Sequence, residues 1–219
     1  GGKRKQDRGD KRVTEHRPKT RQGEHTLPEL IGQIEGHQIP PEDVKTTKYE
    51  HVLPMLAAIE ESPEITGLLI LLNTVGGDVE AGLAIAELIA GMSKPTVSLV
   101  LGGGHSIGVP LAVAAKRSFI APTASMTIHP VRINGLVIGA PQTYEYLAGG
   151  CRAHSELCHG ALPDKPQGLY APDVRTRASL QTTSGLSSSG EEAVQCGLID
   201  QIGTLSDALE YLKITADAE

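Results

Sequence analysis

Apolar residues between Tyr49 and Leu101 follow two periods in alternation. Val52, Met55, Leu56 and Ile59 recur at helical spacing and predict an amphipathic helix over Tyr49 to Glu60. Thr66 to Leu72 is a short, nearly continuous apolar run, the pattern of a strand buried on both faces. Asn73-Thr74-Val75-Gly76-Gly77-Asp78 reads as a turn. Asp78 then suits the N-cap of a helix over Val79 to Met92, with Val79, Leu83, Leu88, Ile89 and Met92 on its core side. Pro95 to Leu101 is the next strand. A further helix is expected from Ser106 towards Lys116, where Pro110 is tolerated because it falls in the first turn or so.

Outside this stretch the signals are shorter. Leu30 to Ile34, Ser118 to Ala121, Met126 to His129, Gly135 to Gly139 and Leu198-Ile199 read as strands, and His37 to Thr47 as loop. Glu191 to Cys196 is a helical turn stopped by Gly197, and Ser206 to Leu212 begins a closing helix. Strands alternating with helices of this length predict βαβ units and an α/β fold. Ala148 to Ser189 differs. It is rich in Ser, Gly, Pro, Arg, Cys and His and has no sustained period. A structureless stretch of that length is suspect inside a compact domain.

The 219 residues suffice for one domain with a real core, assigned here to residues 27–219. The formal charge of −6 gives no general case for nucleic-acid binding. Basic residues crowd the first stretch, from Lys3 to Arg21, with nothing apolar to offset the ordering entropy. Residues 1–26 therefore read as a disordered basic arm. No signal peptide and no apolar run of membrane-spanning length is visible. Cys151, Cys158 and Cys196 make no disulfide framework, so a reducing cytoplasm is the simplest compartment.

Ser106 sits in Gly102-Gly103-Gly104-His105-Ser106-Ile107-Gly108, directly after an apolar stretch, and His129 follows downstream. A serine hydroxyl is a poor nucleophile until a base takes its proton, and histidine has a suitable pKa. The oxyanion then needs fixed N–H donors, which backbone at glycine-rich turns supplies. Gly76-Gly77 forms one such turn; the N–H of Ile107 lies at the other. Parallel neighbouring strands would bring both to one sheet end. His105, beside the serine, is expected to turn away from the site.

Gly104 to Gly108 also fits the Gly-x-Ser-x-Gly elbow of α/β-hydrolases, which needs the order Ser, acid, His. Residues 107–128 hold no Asp or Glu, so His129 cannot close that order; His154 or His159 could, with Glu145 as acid. Cys151, His154, Cys158 and His159 are zinc-ligand types, but adjacent Cys158 and His159 rarely share one tetrahedral ion. No metal is expected. No Gly-Lys-Ser/Thr phosphate loop is present in the sequence, and no cofactor is expected.

Four segments together resemble the Clp protease proteolytic subunit family. They are Asn73 to Gly82, Gly102 to Gly108, Met126 to Pro130, and Gly190 to Asp200. The resemblance covers Leu30 to about Leu147 and resumes at Gly190. It implies a crotonase-like spiral of ββα units in a single domain, and a serine peptidase acting on proteins or peptides. Ser106 would be nucleophile, His129 general base, and backbone near Gly76, Gly77 and Ile107 the oxyanion hole. It implies a homo-oligomeric ring as well. An ATP-driven AAA+ unfoldase partner is an open expectation, and a link to protein export another.

The chain departs from the family pattern at Val75, where the family has proline, and after Leu147. Pro141 to Leu147 looks like the start of a helix that then dissolves. The family's triad aspartate would fall within Ala148 to Ser189, where Asp164 and Asp173 are the only aspartates; Asp173 is the candidate. The abrupt loss and recovery of pattern suggest that this interval is read out of frame. Two other functions compete: a crotonase-type acyl-CoA enzyme, and a catalytically silent ring or scaffold. For the former, Asp78 and Glu80 are the acids near the first turn, and they are expected to serve the helix N-terminus instead.

Overall fold

The computed structural model describes residues 24–26, 28–37, 40–129 and 186–216. The expected strand at Gly135 to Gly139, the helix start at Pro141 to Leu147, the Cys/His group from Cys151 to His159, and Glu145, Asp164 and Asp173 lie outside them. So do residues 1–23 of the basic arm.

Fourteen elements follow one another among the described residues. They are β1 (Glu24–Thr26), β2 (Glu29–Glu35), β3 (Thr46–Lys48), α1 (Tyr49–Glu61), β4 (Ile65–Gly77), α2 (Val79–Gly91), β5 (Thr96–His105), α3 (Gly108–Val113), β6 (Arg117–Ile120), β7 (Ser125–Ile128), β8 (Leu186–Ser189), α4 (Gly190–Gln195), β9 (Gln201–Ile202) and α5 (Leu205–Ala216). The strands form one mixed sheet with the main order β3-β2-β4-β5-β6-β9. Every pairing is parallel except β7 with β8.

Two long central strands organise the sheet. β4 pairs with β5 along one edge and along the other takes β1 and then β2. β5 likewise takes β6 through Val97 to Val100 and then β7 through Gly103 to His105. The continuous apolar run in β4 is explained by burial on both faces. Leu68, Ile70 and Leu72 enter the larger core under α1, α2 and α3, whereas Leu69 joins Val97, Leu99, Phe119, Ala208 and Leu212 beneath α5.

Several expected boundaries move. Glu24–Thr26, assigned to the arm, pairs with β4. The supposed turn at Asn73 to Gly77 is strand, because β2 pairs alongside it as far as Gly77. Leu198-Ile199 is not strand; its side chains are buried, and β9 follows at Gln201–Ile202. Leu186–Ser189 pairs with β7 although Leu-Ser-Ser-Ser carries no alternation, since backbone groups alone make that ladder. In α2 the core face is Ala81, Gly82, Ile85, Ala86 and Ile89, while Leu88 is 41% exposed. An almost wholly apolar helix does not mark its own face. Here the small residues turn inward: a Cβ on Gly82 would lie 2.2 Å from Ile107 Cγ1.

Candidate active site

The site begins as an irregularity in β5. Leu72 pairs with Val100 and Thr74 with Gly104, so β4 advances two residues while β5 advances four. The surplus is the bulge at 101–103, where β5 leaves β6 and takes up β7. Asn73 Oδ1 accepts the Gly103 N–H at 3.2 Å. Gly102, at φ +75°, passes so near that a Cβ there would lie 2.9 Å from the same oxygen.

Three residues later the chain turns sharply. Ser106 has φ +56°, the one non-glycine residue in the left-handed region among the described residues. Such a conformation costs about 1–3 kcal/mol, so surrounding contacts must hold it. The Ser106 N–H donates to Thr127 O at 2.8 Å, and its own carbonyl accepts the Val109 N–H at 3.0 Å, which starts α3. Ile107 is buried beneath the turn.

The end of β4 faces this turn. Gly76, at φ +98°, leaves so little room that a Cβ would stand 2.6 Å from Ser106 Cβ and 3.2 Å from Ser106 Oγ. Glycine is required there for both its conformation and its missing side chain. Buried Thr74 braces the approach: its hydroxyl donates to Gly32 O at 2.6 Å and accepts the Gly76 N–H at 3.0 Å. That bond engages one of the three N–H groups expected of an oxyanion hole. Asp78 caps α2 by accepting the Ala81 N–H at 2.9 Å, which gives that carboxylate the structural role expected of it. Glu80 lies in the first turn of the same helix.

The histidine strand lies alongside. β7 pairs with β5 in the register Gly103 with Ser125, Gly104 with Met126 and His105 with Thr127. His129 is therefore two residues beyond the carbonyl that holds the Ser106 N–H. His105 Nδ1 lies 3.0 Å from Thr127 Oγ1, so this imidazole engages β7. Hence Ser106, Gly76, Gly77 and the strand leading to His129 converge at the ends of β4, β5 and β7. Asp173 lies outside the described residues. No role for Asn73, Thr74 or Thr127 follows from the sequence alone. Asn73 bonds the Gly103 backbone, Thr74 the Gly32 backbone and Thr127 the His105 ring, all partners distant in sequence, and no local pattern signals that. Among the described residues no group of His, Cys, Asp and Glu could hold a metal ion, and no helix is long and apolar enough to cross a membrane.

Residues 35–139 match the family model described as Clp protease. The chain is 53% identical over 191 residues to the translocation-enhancing protein TepA of Halalkalibacterium halodurans, an alignment spanning 84% of this chain and 71% of that one. The chain belongs to the Clp protease family. A Clp protease proteolytic subunit 1 from Chlamydia muridarum is 34% identical over 74 residues, 33% of this chain and 38% of its own. A mutant ClpP1 from Listeria monocytogenes superposes with a TM-score of 0.63 at 20% identity, covering 84% of this chain and 94% of that one. Its likeness supports the Clp protease fold: a mixed α/β domain with a mostly parallel sheet.

Proposed function

We propose that the chain is a serine peptidase that cleaves peptide bonds through an acyl-enzyme. One observation carries this reading: the strained Ser106 turn, pressed against the side-chain-free backbone of Gly76 and bonded to the strand that leads to His129. Strain at a residue with nucleophilic chemistry, enforced by three separate strands, is how a nucleophile is presented to substrate.

In this mechanism Ser106 Oγ attacks the carbonyl carbon while its proton passes to His129. The C=O π pair moves onto oxygen, and the N–H groups of Gly77 and Ile107 receive the resulting oxyanion. Gly76 acts through its shape, since its own N–H is held by Thr74. Collapse breaks the C–N bond, and the amine leaves with the proton from His129. Water, deprotonated by the same imidazole, then attacks the ester and releases Ser106. Asp173 is the proposed acid that orients His129.

Homo-oligomeric rings, protein or peptide substrates and a cytoplasmic location are part of the same reading, as is a connection to protein export on the strength of the TepA relative. The test is covalent labelling by a fluorophosphonate. Ser106→Ala is expected to abolish labelling, and His129→Ala to reduce it at least a hundredfold, the lower range for losing a general base. A folded chain that never labels would favour an acyl-CoA enzyme or a silent scaffold.

A further inference from the structure

His105 has no part in the mechanism above, yet it lies next to the nucleophile and reaches the histidine strand. Its Nδ1 is 3.0 Å from Thr127 Oγ1. The main chain of the same threonine accepts the Ser106 N–H at 2.8 Å. Thr127 is thus gripped at two atoms by consecutive residues of the nucleophile turn. The backbone ladders with β5 and β8 set the register of β7, and the His105 bond adds a side-chain hold on Thr127 that those ladders do not provide. The residue so held stands two positions before His129.

The ring has a made-to-measure seat. An ideal Cβ on Gly103 would come within 2.5 Å of His105 Nε2 and 2.8 Å of its Cδ2. The imidazole therefore folds back against the Gly103 backbone, and any side chain at 103 would expel it. Gly103 is itself fixed, because its N–H is held by Asn73 Oδ1. The path from β4 to the histidine strand runs Asn73, Gly103, His105, Thr127.

We infer that His105 is a positioning residue: by binding the Thr127 side chain it fixes the end of β7, and with it His129, relative to Ser106. This rests on the peptidase reading for its catalytic consequence, but not for the geometry. In a positioned site a displacement of about 1 Å costs roughly a hundredfold in rate, so a lost tether need shift His129 only a fraction of that.

The test compares His105→Asn with His105→Gln. Asparagine carries its polar atoms on Cγ, as Nδ1 is carried, and can keep the Thr127 bond. Glutamine carries them one bond further out and cannot. Two readouts are taken on the full chain. The first, amide hydrogen exchange at Ser106 and across β7, requires no reaction. His105→Gln and Thr127→Val should speed exchange there about tenfold, with His105→Asn and Thr127→Ser near wild type. The second is fluorophosphonate labelling against probe concentration. The same two damaging variants should lower the maximal rate about tenfold at unchanged half-saturation, and their combination should be no worse than either alone. Equal exchange in all variants overturns the inference. So does a double variant whose losses multiply, or a rate loss that follows thermal stability and is not rescued by asparagine. A wild-type chain that never labels would defeat the peptidase reading, and exchange alone would then decide the role of His105.

Discussion

Gly76 lies in β4 and Ser106 just beyond the end of β5, yet a single methyl group on Gly76 would stand 2.6 Å from Ser106 Cβ. The two residues are mutually dependent. Ser106 occupies a left-handed conformation at the end of β5, and the end of β4 closes over it with no side chain between them.

Gly76→Ala should therefore be severe. At φ +98° an alanine is strained whatever the space, and its methyl would displace Ser106. The expected loss is about 1–3 kcal/mol of stability from the backbone strain. Labelling should fall by about a hundredfold or more, as for a 1 Å displacement of the nucleophile. Urea unfolding and probe kinetics on the same preparation check both.

Ser106 offers a separate test of strain. At an ordinary position glycine is less stable than alanine by about 0.5–1 kcal/mol because the unfolded chain is freer. At φ +56° the order should invert. Ser106→Gly should be at least as stable as Ser106→Ala, and neither should label. Equilibrium unfolding midpoints of the pair give the answer; an ordinary glycine penalty would mean that the turn carries no strain.

Thr74→Val keeps the shape and removes the hydroxyl. Gly32 O would lose its donor and Gly76 N–H its acceptor. Gly76 is buried and Gly32 half-buried, and an unpaired buried backbone group costs about 1–3 kcal/mol, so a loss of about 1–3 kcal/mol is expected. Thr74→Ser should recover most of it. Denaturant unfolding is the measurement.

The cap of α4 should make stability pH-dependent. Donation from the Ser189 backbone N–H, and then the Ser189 side chain, hold the Glu192 carboxyl below its ordinary range. At α5 the Thr204 backbone N–H, followed by its hydroxyl, does the same for Asp207. Both folded-state pKa values lie below the unfolded ones. Their contribution is complete above the unfolded value and disappears as pH falls through the folded value. Wild type should thus exceed a Glu192→Gln, Asp207→Asn double variant in stability at neutral pH, with the gap closing in acid. A urea series across that range tests it; a gap that persists at low pH would assign the difference to something other than ionised carboxylates.

The linear chain was sufficient for the α/β class, the run of β4, the cap at Asp78 and the pairing of a glycine-flanked serine with a downstream histidine strand. These depend on periodicity and on residues within a few positions, where local physics acts. The reach of β4 and β5 was not legible, because Asn73 to Gly77 and Leu101 to His105 become strand only through partners distant in sequence. The inward face of α2 was hidden for a similar reason: its apolar residues surround the helix, and only the approach of Ile107 to Gly82 selects a side.

Amino-acid order alone decided which side chains carry a hydroxyl or an imidazole near glycine-rich segments, since those are identities and composition. Tertiary structure alone decided that Gly76 meets Ser106, that Thr74 takes one of the expected N–H donors, and that His105 holds Thr127. Each of those joins residues far apart in sequence, and the strand register that unites them exists only once the sheet has formed.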